Sequence, residues 1–257
     1  MLVALFRSII FALFSYIAII VLAPVLIFGR LLPFKQRYYV VFSYGFTVMW
    51  LARLITGIRW QIEGLEHLSG ASGRLIASKH QSTWDSMILP TILNKPAFVL
   101  KKELLWIPIF GTGLAGMNPI AIDRKAGSQA LKHILKQGKA AIAEGRDVII
   151  FPEGTRYRPD AVPEYKIGAA MLAIQAKADV IPIALNSGCH WPKGQFLKRP
   201  CVIHVVIGAP IPVAGKRANV LSAEIEHWIE TEQEKLYMRY GCPTTNRAPT
   251  TNGTTLS

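Results

Sequence analysis

The chain has 257 residues, of which 51% are hydrophobic and 18% charged, and it carries a net charge of +13. This length allows one domain of about 200 residues with a short additional segment, and it excludes a large multidomain assembly. The positive charge predicts attraction to nucleic acid, to anionic lipid or to phosphorylated substrates, and the uncharged stretch over residues 9–28 favours the membrane over nucleic acid.

Two apolar runs open the chain. The first, residues 9–28, is long enough to cross a hydrocarbon core of about 30 Å as a helix, and the second, residues 38–52, is shorter. Because basic residues flank both runs at every end, the pattern gives no charge asymmetry to orient a spanning helix. It favours a helical hairpin held in one leaflet over a single true span. We therefore expect residues 1–57 to form a membrane-embedded helix pair, with the rest of the chain on the cytoplasmic face.

The sequence pattern changes after Gly57 to short apolar runs that alternate with helical stretches. One helix is predicted over residues 128–144, where apolar residues share a face and Gly145 follows, and another near the end of the chain. The runs typical of buried strands are residues 74–78, 97–100, 147–151, 179–185 and 202–208. Alternation of strands and helices predicts an α/β domain over residues 58–240. The tail, residues 241–257, has almost nothing to bury and is expected to be disordered.

The stretch GTGLAG, residues 111–116, matches the glycine pattern of a dinucleotide-binding loop. That fingerprint needs a helix that opens on the third glycine and an acid about 20 residues further on. Neither follows here, so we interpret the glycines as a close-packed turn. The aromatic residues Trp84, Trp106 and Phe110 are expected in the core, because large aromatic side chains are buried by default; the alternative is that they line an acyl pocket.

The stretch KHQSTWDS, residues 79–86, sets His80 five residues before Asp85, directly after a predicted strand. On a continuous helix this spacing would place the two side chains about 140° apart, so a turn must precede a helix that starts near Thr83. A carboxylate on one imidazole nitrogen fixes the tautomer and leaves the other nitrogen free to accept a proton. A surface histidine beside an aspartate at a helix N-terminus remains an alternative.

The stretch VIIFPEGTRYR, residues 148–158, is a strand followed by a loop suited to phosphate. Gly154 lets the backbone approach a ligand, Thr155 offers a hydroxyl, and Arg156 offers a planar fork that matches phosphate oxygens. Glu153 could hold that guanidinium or accept from a substrate hydroxyl. Two further cations lie where charge could converge on a phosphate monoester, Arg124 and Lys166. The alternative is an ordinary exposed loop.

The cysteines and histidines show no pattern of a metal site or a disulfide framework. Cys189, Cys201 and Cys242 are odd in number, widely spaced and without a CxxC pair, and the histidines form no HExxH or HxH motif. We therefore expect no zinc site and no disulfide framework, and a reducing compartment.

Four stretches, taken in order, resemble a known family. KHQSTWD, GMNPIAIDR, FPEGTR with the following YKIG, and VIPIAL are similar to the blocks of the 1-acyl-sn-glycerol-3-phosphate acyltransferase family, over about residues 60–210. The resemblance implies an α/β fold with a mixed sheet flanked by helices. Two departures stand out: Lys79 occupies a position where many members have Asn, and Asn118-Pro119 replaces a plainer apolar stretch.

The resemblance also implies an activity in phospholipid biosynthesis. Such an enzyme moves a fatty acyl group from acyl-CoA or acyl-carrier protein to the sn-2 hydroxyl of lysophosphatidate, giving phosphatidate. His80 would be the general base and Asp85 the residue that orients it. The implied glycerophosphate-binding residues are Arg124, Glu153, Gly154, Thr155, Arg156, Lys166 and Gly168. Because a thioester is already activated, no metal and no further cofactor is expected.

Three points stay open at this stage. The oxyanion donor could be a backbone amide or a lysine such as Lys102. The acceptor could be another lysolipid, such as a lyso-ornithine lipid or a lysophospholipid. A non-catalytic membrane-binding protein is the remaining alternative, although a basic surface does not explain why a histidine and an acid are spaced as a catalytic pair.

Overall fold

Two apolar helices form the N-terminal part of the structure, a computed structural model that describes residues 1–70 and 72–242. Helix α1 (Leu2–Phe28) and helix α2 (Phe34–Leu51) form a hairpin, and a π-helical turn (Ala52–Thr56) extends α2. The segments Leu2–Phe28 and Phe34–Thr56 are long and apolar enough to cross a membrane. The predicted helix pair is therefore present.

A seven-stranded mixed sheet forms the centre of the remaining chain. Its strands are β1 (Ile58–Glu63), β2 (Leu75–Ser78), β3 (Ala97–Lys101), β4 (Ile120–Ile122), β5 (Val148–Ile150), β6 (Val180–Leu185) and β7 (Cys201–Ile207). The spatial order is β1-β7-β6-β2-β5-β3-β4. Strands β6, β2, β5, β3 and β4 run parallel, whereas β7 is antiparallel to β6 and parallel to β1.

Helices cover both faces of the sheet, because successive side chains of a strand point to opposite faces. In β2, Ile76 packs with residues of α1, α2 and α3, whereas Leu75 and Ala77 pack with residues of α5, α6 and α8. The remaining helices are α3 (Asp85–Ile92), α4 (Phe110–Gly116), α5 (Ser128–Ala143), α6 (Gly168–Ala176), α7 (Ser187–His190) and α8 (Ala218–Tyr240). The predicted α/β class, with a mixed sheet flanked by helices, is confirmed.

The strand directions bring several connections to one edge of the sheet. The carboxyl ends of the five parallel strands and the amino end of β7 all lie there, and we call this the carboxyl edge. Its connecting segments are residues 79–84, 102–109, 123–127, 151–167 and 186–200. In open α/β sheets, ligands bind at this edge. Both sequence motifs, HxxxxD and FPEGTR, therefore lie where the fold favours a site.

Two features of the region after β3 differ from the sequence-based expectations. The stretch GTGLAG lies in helix α4 rather than in a turn, and its glycines are buried. A Cβ atom added at Gly113 would lie 3.2 Å from Leu26 Cδ2, so the small residue allows α4 to pack against α1. Trp106, expected in the core, is 71% exposed. The reason is that it belongs to the connection after β3, outside both packed faces of the sheet.

The expectation of no disulfide is wrong for this structure. Cys189 of α7 and Cys242 are disulfide-bonded, with Cα atoms 5.4 Å apart, within the usual range for such bonds. The two residues are 53 positions apart in the chain, and α8 returns Cys242 to the carboxyl edge. The spacing in the sequence could not indicate this approach. Cys201 is free, and residues 243–257 of the predicted disordered tail lie outside the described residues.

Candidate active site

His80 and Asp85 meet at the carboxyl edge through a turn that precedes α3. His80 Nδ1 lies 3.1 Å from Asp85 Oδ2. The same oxygen accepts the backbone N–H groups of Gln81 at 2.7 Å and Ser82 at 2.8 Å, and Oδ1 accepts the Ser187 hydroxyl at 2.5 Å. Asp85 is fully buried, and each of these partners donates to it. The position of the carboxylate is therefore fixed by donors other than the imidazole.

This arrangement determines which imidazole nitrogen is free. A carboxylate oxygen can only accept a hydrogen bond, so Nδ1 carries the proton and Nε2 of the neutral ring is left as an acceptor. The ring stacks on Phe151, with centroids 3.8 Å apart and planes 15° apart. The His80 side chain retains 13% of its surface exposed, whereas that of Asp85 retains none. Nε2 can thus accept a proton from a molecule bound at this edge.

The FPEGTR loop is joined to the histidine turn by backbone and side-chain contacts. Tyr157 N–H donates to the His80 carbonyl at 3.0 Å, and Arg156 Nη1 donates to Thr83 Oγ1 at 2.6 Å. Gly154 has a φ of +68°, a left-handed conformation that L side chains rarely adopt. The neighbouring strands β2 and β5 are paired in parallel. The two motifs therefore form a single structural unit.

Glu153 lies inside this unit rather than on its surface. It is 1% exposed, and its Oε2 accepts the His80 N–H at 2.7 Å, while Oε1 lies 2.7 Å from Lys79 Nζ. Burial raises the pKa of Glu153 above its ordinary value, and Lys79 and the His80 N–H offset only part of that increase. The expected contact between Glu153 and glycerophosphate does not fit this position, because both oxygens face partners of the protein itself.

The predicted phosphate-binding cations all lie at the carboxyl edge, but they follow different strands. Arg156 and Lys166 lie on the loop after β5, whereas Arg124 follows β4, two strands away. Since neighbouring strands are about 4.8 Å apart, β4 lies about 10 Å from β5 along the edge. Lys166 is exposed and lies 3.4 Å from Glu164. Among the described residues Arg124 has no hydrogen-bond or ion-pair partner, so a bound anion could engage it without breaking one.

The other predicted loop residues are placed as follows. Thr155 is exposed, and Gly168 opens helix α6 directly after the loop. Lys102, one possible oxyanion donor, lies in the connection after β3, and its Nζ is 2.7 Å from Asp123 Oδ2. The hydrogen bond to Asp123 raises the pKa of Lys102. Lys102 therefore remains a cation at neutral pH, although it is already paired.

Two residues of the site, Ser187 and Glu230, were missed from the sequence. Ser187 binds Asp85, and Glu230 of α8 lies 2.6 Å from Lys79 Nζ and accepts the Tyr165 hydroxyl at 2.7 Å. Ser187 follows the carboxyl end of β6, so the rule that ligands bind at this edge could have indicated it. Glu230 lies 150 residues beyond the histidine motif and has no local signal in the sequence.

The arrangement is able to carry out general-base chemistry on a hydroxyl. It has an oriented imidazole with one free nitrogen, a buried carboxylate that stabilises the imidazolium, and cations spread along the same edge. Within residues 1–70 and 72–242, no group of three His, Cys, Asp or Glu side chains is arranged to hold a metal ion.

Known proteins are similar to this chain along most of its length. The sequence model of the family named Acyltransferase matches residues 59–186. The 1-acyl-sn-glycerol-3-phosphate acyltransferase of Pseudomonas aeruginosa is 40% identical over 203 residues, which are 77% of this chain and 79% of that protein. The protein of the same name from Cocos nucifera is 30% identical over 189 residues, which are 72% of this chain and 58% of that protein.

A solved structure is similar in fold. The crystal structure of the 1-acyl-sn-glycerophosphate (LPA) acyltransferase PlsC from Thermotoga maritima aligns with a TM-score of 0.75. The alignment covers 92% of this chain and 97% of that one, at 22% sequence identity. The likeness extends over the N-terminal helices as well as the sheet.

Proposed function

This chain belongs to the 1-acyl-sn-glycerol-3-phosphate acyltransferase family, and on that premise we propose that it transfers a fatty acyl group to the sn-2 hydroxyl of lysophosphatidate. The acyl donor is a thioester, acyl-CoA or acyl-carrier protein, and the product is phosphatidate. The observation that supports this reaction best is the contact between His80 and an Asp85 carboxylate already fixed by backbone N–H groups.

The proposed mechanism uses His80 as the general base. Nε2 takes the proton of the lysophosphatidate hydroxyl as its oxygen attacks the thioester carbonyl, and Asp85 stabilises the imidazolium that forms. Collapse of the tetrahedral intermediate forms the ester and expels the thiolate, which takes up the proton from His80. The thioester is already activated, so the reaction needs neither a metal nor a further cofactor.

Arg156 is proposed to bind the phosphate of the acceptor, with Lys166 and Gly154 beside it on the same loop. Its guanidinium lies at the His80 turn, 2.6 Å from Thr83 Oγ1, and its planar fork matches phosphate oxygens. Arg124 follows β4, which lies about 10 Å along the edge from β5, and this offset is suited to a second charged group of a larger substrate. The separation of the two strands thus favours a role for Arg124 toward the acyl donor or the far side of the glycerophosphate.

The membrane segment is proposed to lie in one leaflet. Near its start, α1 contacts the rest of the chain, where Lys198 N–H donates to Ser8 Oγ at 2.8 Å and Phe11 packs edge-on against Trp191. Near its end, Leu26 packs at Gly113. Eighteen residues of helix separate Ser8 from Leu26, a rise of about 27 Å. Both ends of α1 contact the same domain, which lies on one side of the membrane. If α1 spanned the bilayer, one of these two contacts would be lost.

The distribution of exposed apolar residues supports the same orientation. Beyond residue 57, nine large apolar residues of the described part of the chain are exposed, and seven of them lie at the carboxyl edge or the end of α8 beside it. The seven are Leu104, Trp106, Ile107, Val162, Ile167, Phe196 and Met238. This edge is proposed to face the lipid, on the cytoplasmic side, so that lysophosphatidate reaches His80 by lateral diffusion.

A panel of acceptors tests the proposed reaction. Purified protein in anionic vesicles receives labelled acyl-CoA or acyl-carrier protein together with lysophosphatidate, monoacylglycerol, lysophosphatidylcholine or a lyso-ornithine lipid. We expect transfer to lysophosphatidate and little to monoacylglycerol, which is the same acceptor without the phosphate. Equal transfer to both would contradict phosphate recognition, and transfer to a different lysolipid alone would replace the proposed acceptor.

A further inference from the structure

A buried lysine lies between two carboxylates beside the proposed general base. Lys79 is 2% exposed, and its Nζ lies 2.7 Å from Glu153 Oε1 and 2.6 Å from Glu230 Oε1. Tyr165 donates its hydroxyl to the same Glu230 oxygen at 2.7 Å. Replacing a buried ion pair with apolar residues of similar volume is often neutral or stabilising. Stability alone therefore does not explain why this group of charges is present.

The buried charged residues are linked to His80 through its backbone N–H. Glu153 accepts the His80 N–H through Oε2 while its other oxygen faces Lys79. Burial raises the pKa of Glu153 above its ordinary value, and the Lys79 ammonium offsets part of that increase. The nearby cation favours the ionised carboxylate, and an ionised acceptor forms the shorter and stronger hydrogen bond. The backbone position of His80 thus depends on whether Glu153 is charged.

We propose that Lys79 and Glu230 are positioning residues that hold His80 through Glu153. Lys79 keeps Glu153 ionised, and Glu230 of α8 holds the Lys79 ammonium in place. The inference rests on the proposed role of His80 in acyl transfer. Because Glu230 lies outside residues 59–186, which match the family model, the proposal gives the C-terminal helix a part in placing the general base.

The two residues are expected to act on Glu153 in opposite directions. Lys79→Met removes the cation between Glu153 and Glu230, so ionisation of the buried Glu153 is disfavoured and the acid limb of the kcat profile moves to higher pH. Glu230→Gln removes an anion near Glu153, so the limb moves to lower pH. The titratable residues that act on Glu153 are Lys79, Asp85, Tyr237 and, through its backbone N–H, His80. Glu230 contacts the other side of Lys79, and Tyr165 contacts Glu230.

The test measures kcat and KM for both substrates as a function of pH in full-length protein in vesicles. For Lys79→Met we expect kcat to fall by about 10- to 100-fold with KM changed less than about threefold, since small displacements of a catalytic group cost rate rather than binding. The double variant with Glu230→Gln should recover part of the loss, because only one carboxylate, Glu153, then remains where Lys79 had neutralised two. Glu226→Gln is the matched control, one turn earlier on α8.

Several outcomes would overturn the proposal. A folded Lys79→Met protein with the wild-type kcat and pH profile would do so, as would equal shifts in Lys79→Met and Glu230→Gln. Should Lys79→Met not fold, Glu230→Gln decides: a profile identical to that of Glu226→Gln contradicts the role of Glu230. If the wild-type protein acylates no lysolipid, the proposed function has failed, and that outcome is seen before any variant is compared.

Discussion

Asp85→Asn removes the negative charge of residue 85 while it keeps the size and shape of the side chain. Asp85 Oδ2 accepts from His80 Nδ1, Gln81 N and Ser82 N at 3.1, 2.7 and 2.8 Å. An amide NH₂ at that position would face three donors, so the asparagine keeps its oxygen there and turns its NH₂ group toward the Ser187 hydroxyl, which can accept. The imidazole therefore keeps its tautomer. The HxxxxD pattern alone predicts the opposite, a wrong tautomer, because it does not show the two backbone donors.

The expected loss in kcat follows from the lost charge. A hydrogen bond to a charged group contributes about 1.5–3 kcal/mol, against about 1 kcal/mol for a neutral one, and the difference corresponds to a factor of about 2 to 30. Coulomb attraction of about 5 kcal/mol, for unit charges 3.1 Å apart at an effective dielectric of about 20, sets the ceiling. We expect kcat to fall by about 10- to 100-fold, less than the factor of about 10⁴ that a wrong tautomer costs.

The assay compares Asp85→Asn with Asp85→Ala for transfer of labelled acyl groups to lysophosphatidate, together with thermal unfolding of each variant. The alanine variant leaves buried N–H groups without an acceptor, which costs about 1–3 kcal/mol for each group, so it should melt earlier and lose more activity. If the asparagine variant is folded and as inactive as His80→Ala, the backbone donors do not set the orientation of residue 85, and the reasoning is refuted.

Three further predictions concern the substrate, the membrane and stability. Arg156→Ala should raise KM for lysophosphatidate far more than KM for the acyl donor, whereas the control Arg158→Ala should change neither; equal increases for both substrates would contradict the assignment. In a cysteine-free background, Val3→Cys and Val162→Cys should both resist an impermeant reagent on intact cells, and labelling of residue 3 alone would show that α1 spans the membrane. Burial lowers the pKa of Lys198 to about 8 from its ordinary 10.5. Between pH 8 and 10.5 the unfolded chain therefore binds more protons than the folded protein, and the free energy of unfolding should rise with pH. That rise should be smaller in Lys198→Met, and an unchanged slope would show that the lysine is not buried in solution.

Much of the carboxyl edge was predictable because local patterns and a general rule suffice there. Continuous apolar runs indicate buried parallel strands, and the five predicted runs correspond to β2, β3, β5, β6 and β7. His80 and the FPEGTR loop each follow such a run directly. Since the carboxyl ends of parallel strands lie at one edge, the two motifs were expected near each other.

The strands β1 and β4 were not predicted, and their positions in the sheet explain why. β1 alternates between inward and exposed residues, with Arg59, Gln61 and Glu63 exposed, because it lies at the edge of the sheet and pairs only with β7. β4 has three residues and lies at the other edge. Their charged or very short sequences carry little of the apolar signal that marks a central strand.

The remaining features of the site depend on contacts between distant parts of the chain. Glu230 and Cys242 reach the carboxyl edge only because α8 packs against α6 and β6 and ends there. No local pattern encodes that approach. The position of Glu153 also needed the structure, because the sequence shows a carboxylate in a loop but not that Lys79 and the His80 N–H already occupy it.

The central claim is that His80 is the general base of acyl transfer, and one comparison tests it most directly. Wild-type protein and His80→Ala are assayed for transfer to lysophosphatidate at saturating donor and acceptor, with thermal unfolding measured on the same samples. The account predicts that the variant unfolds as the wild type does and that its kcat is lower by a factor of about 10² to 10⁴. A folded His80→Ala protein whose kcat stays within about tenfold of wild type would contradict it.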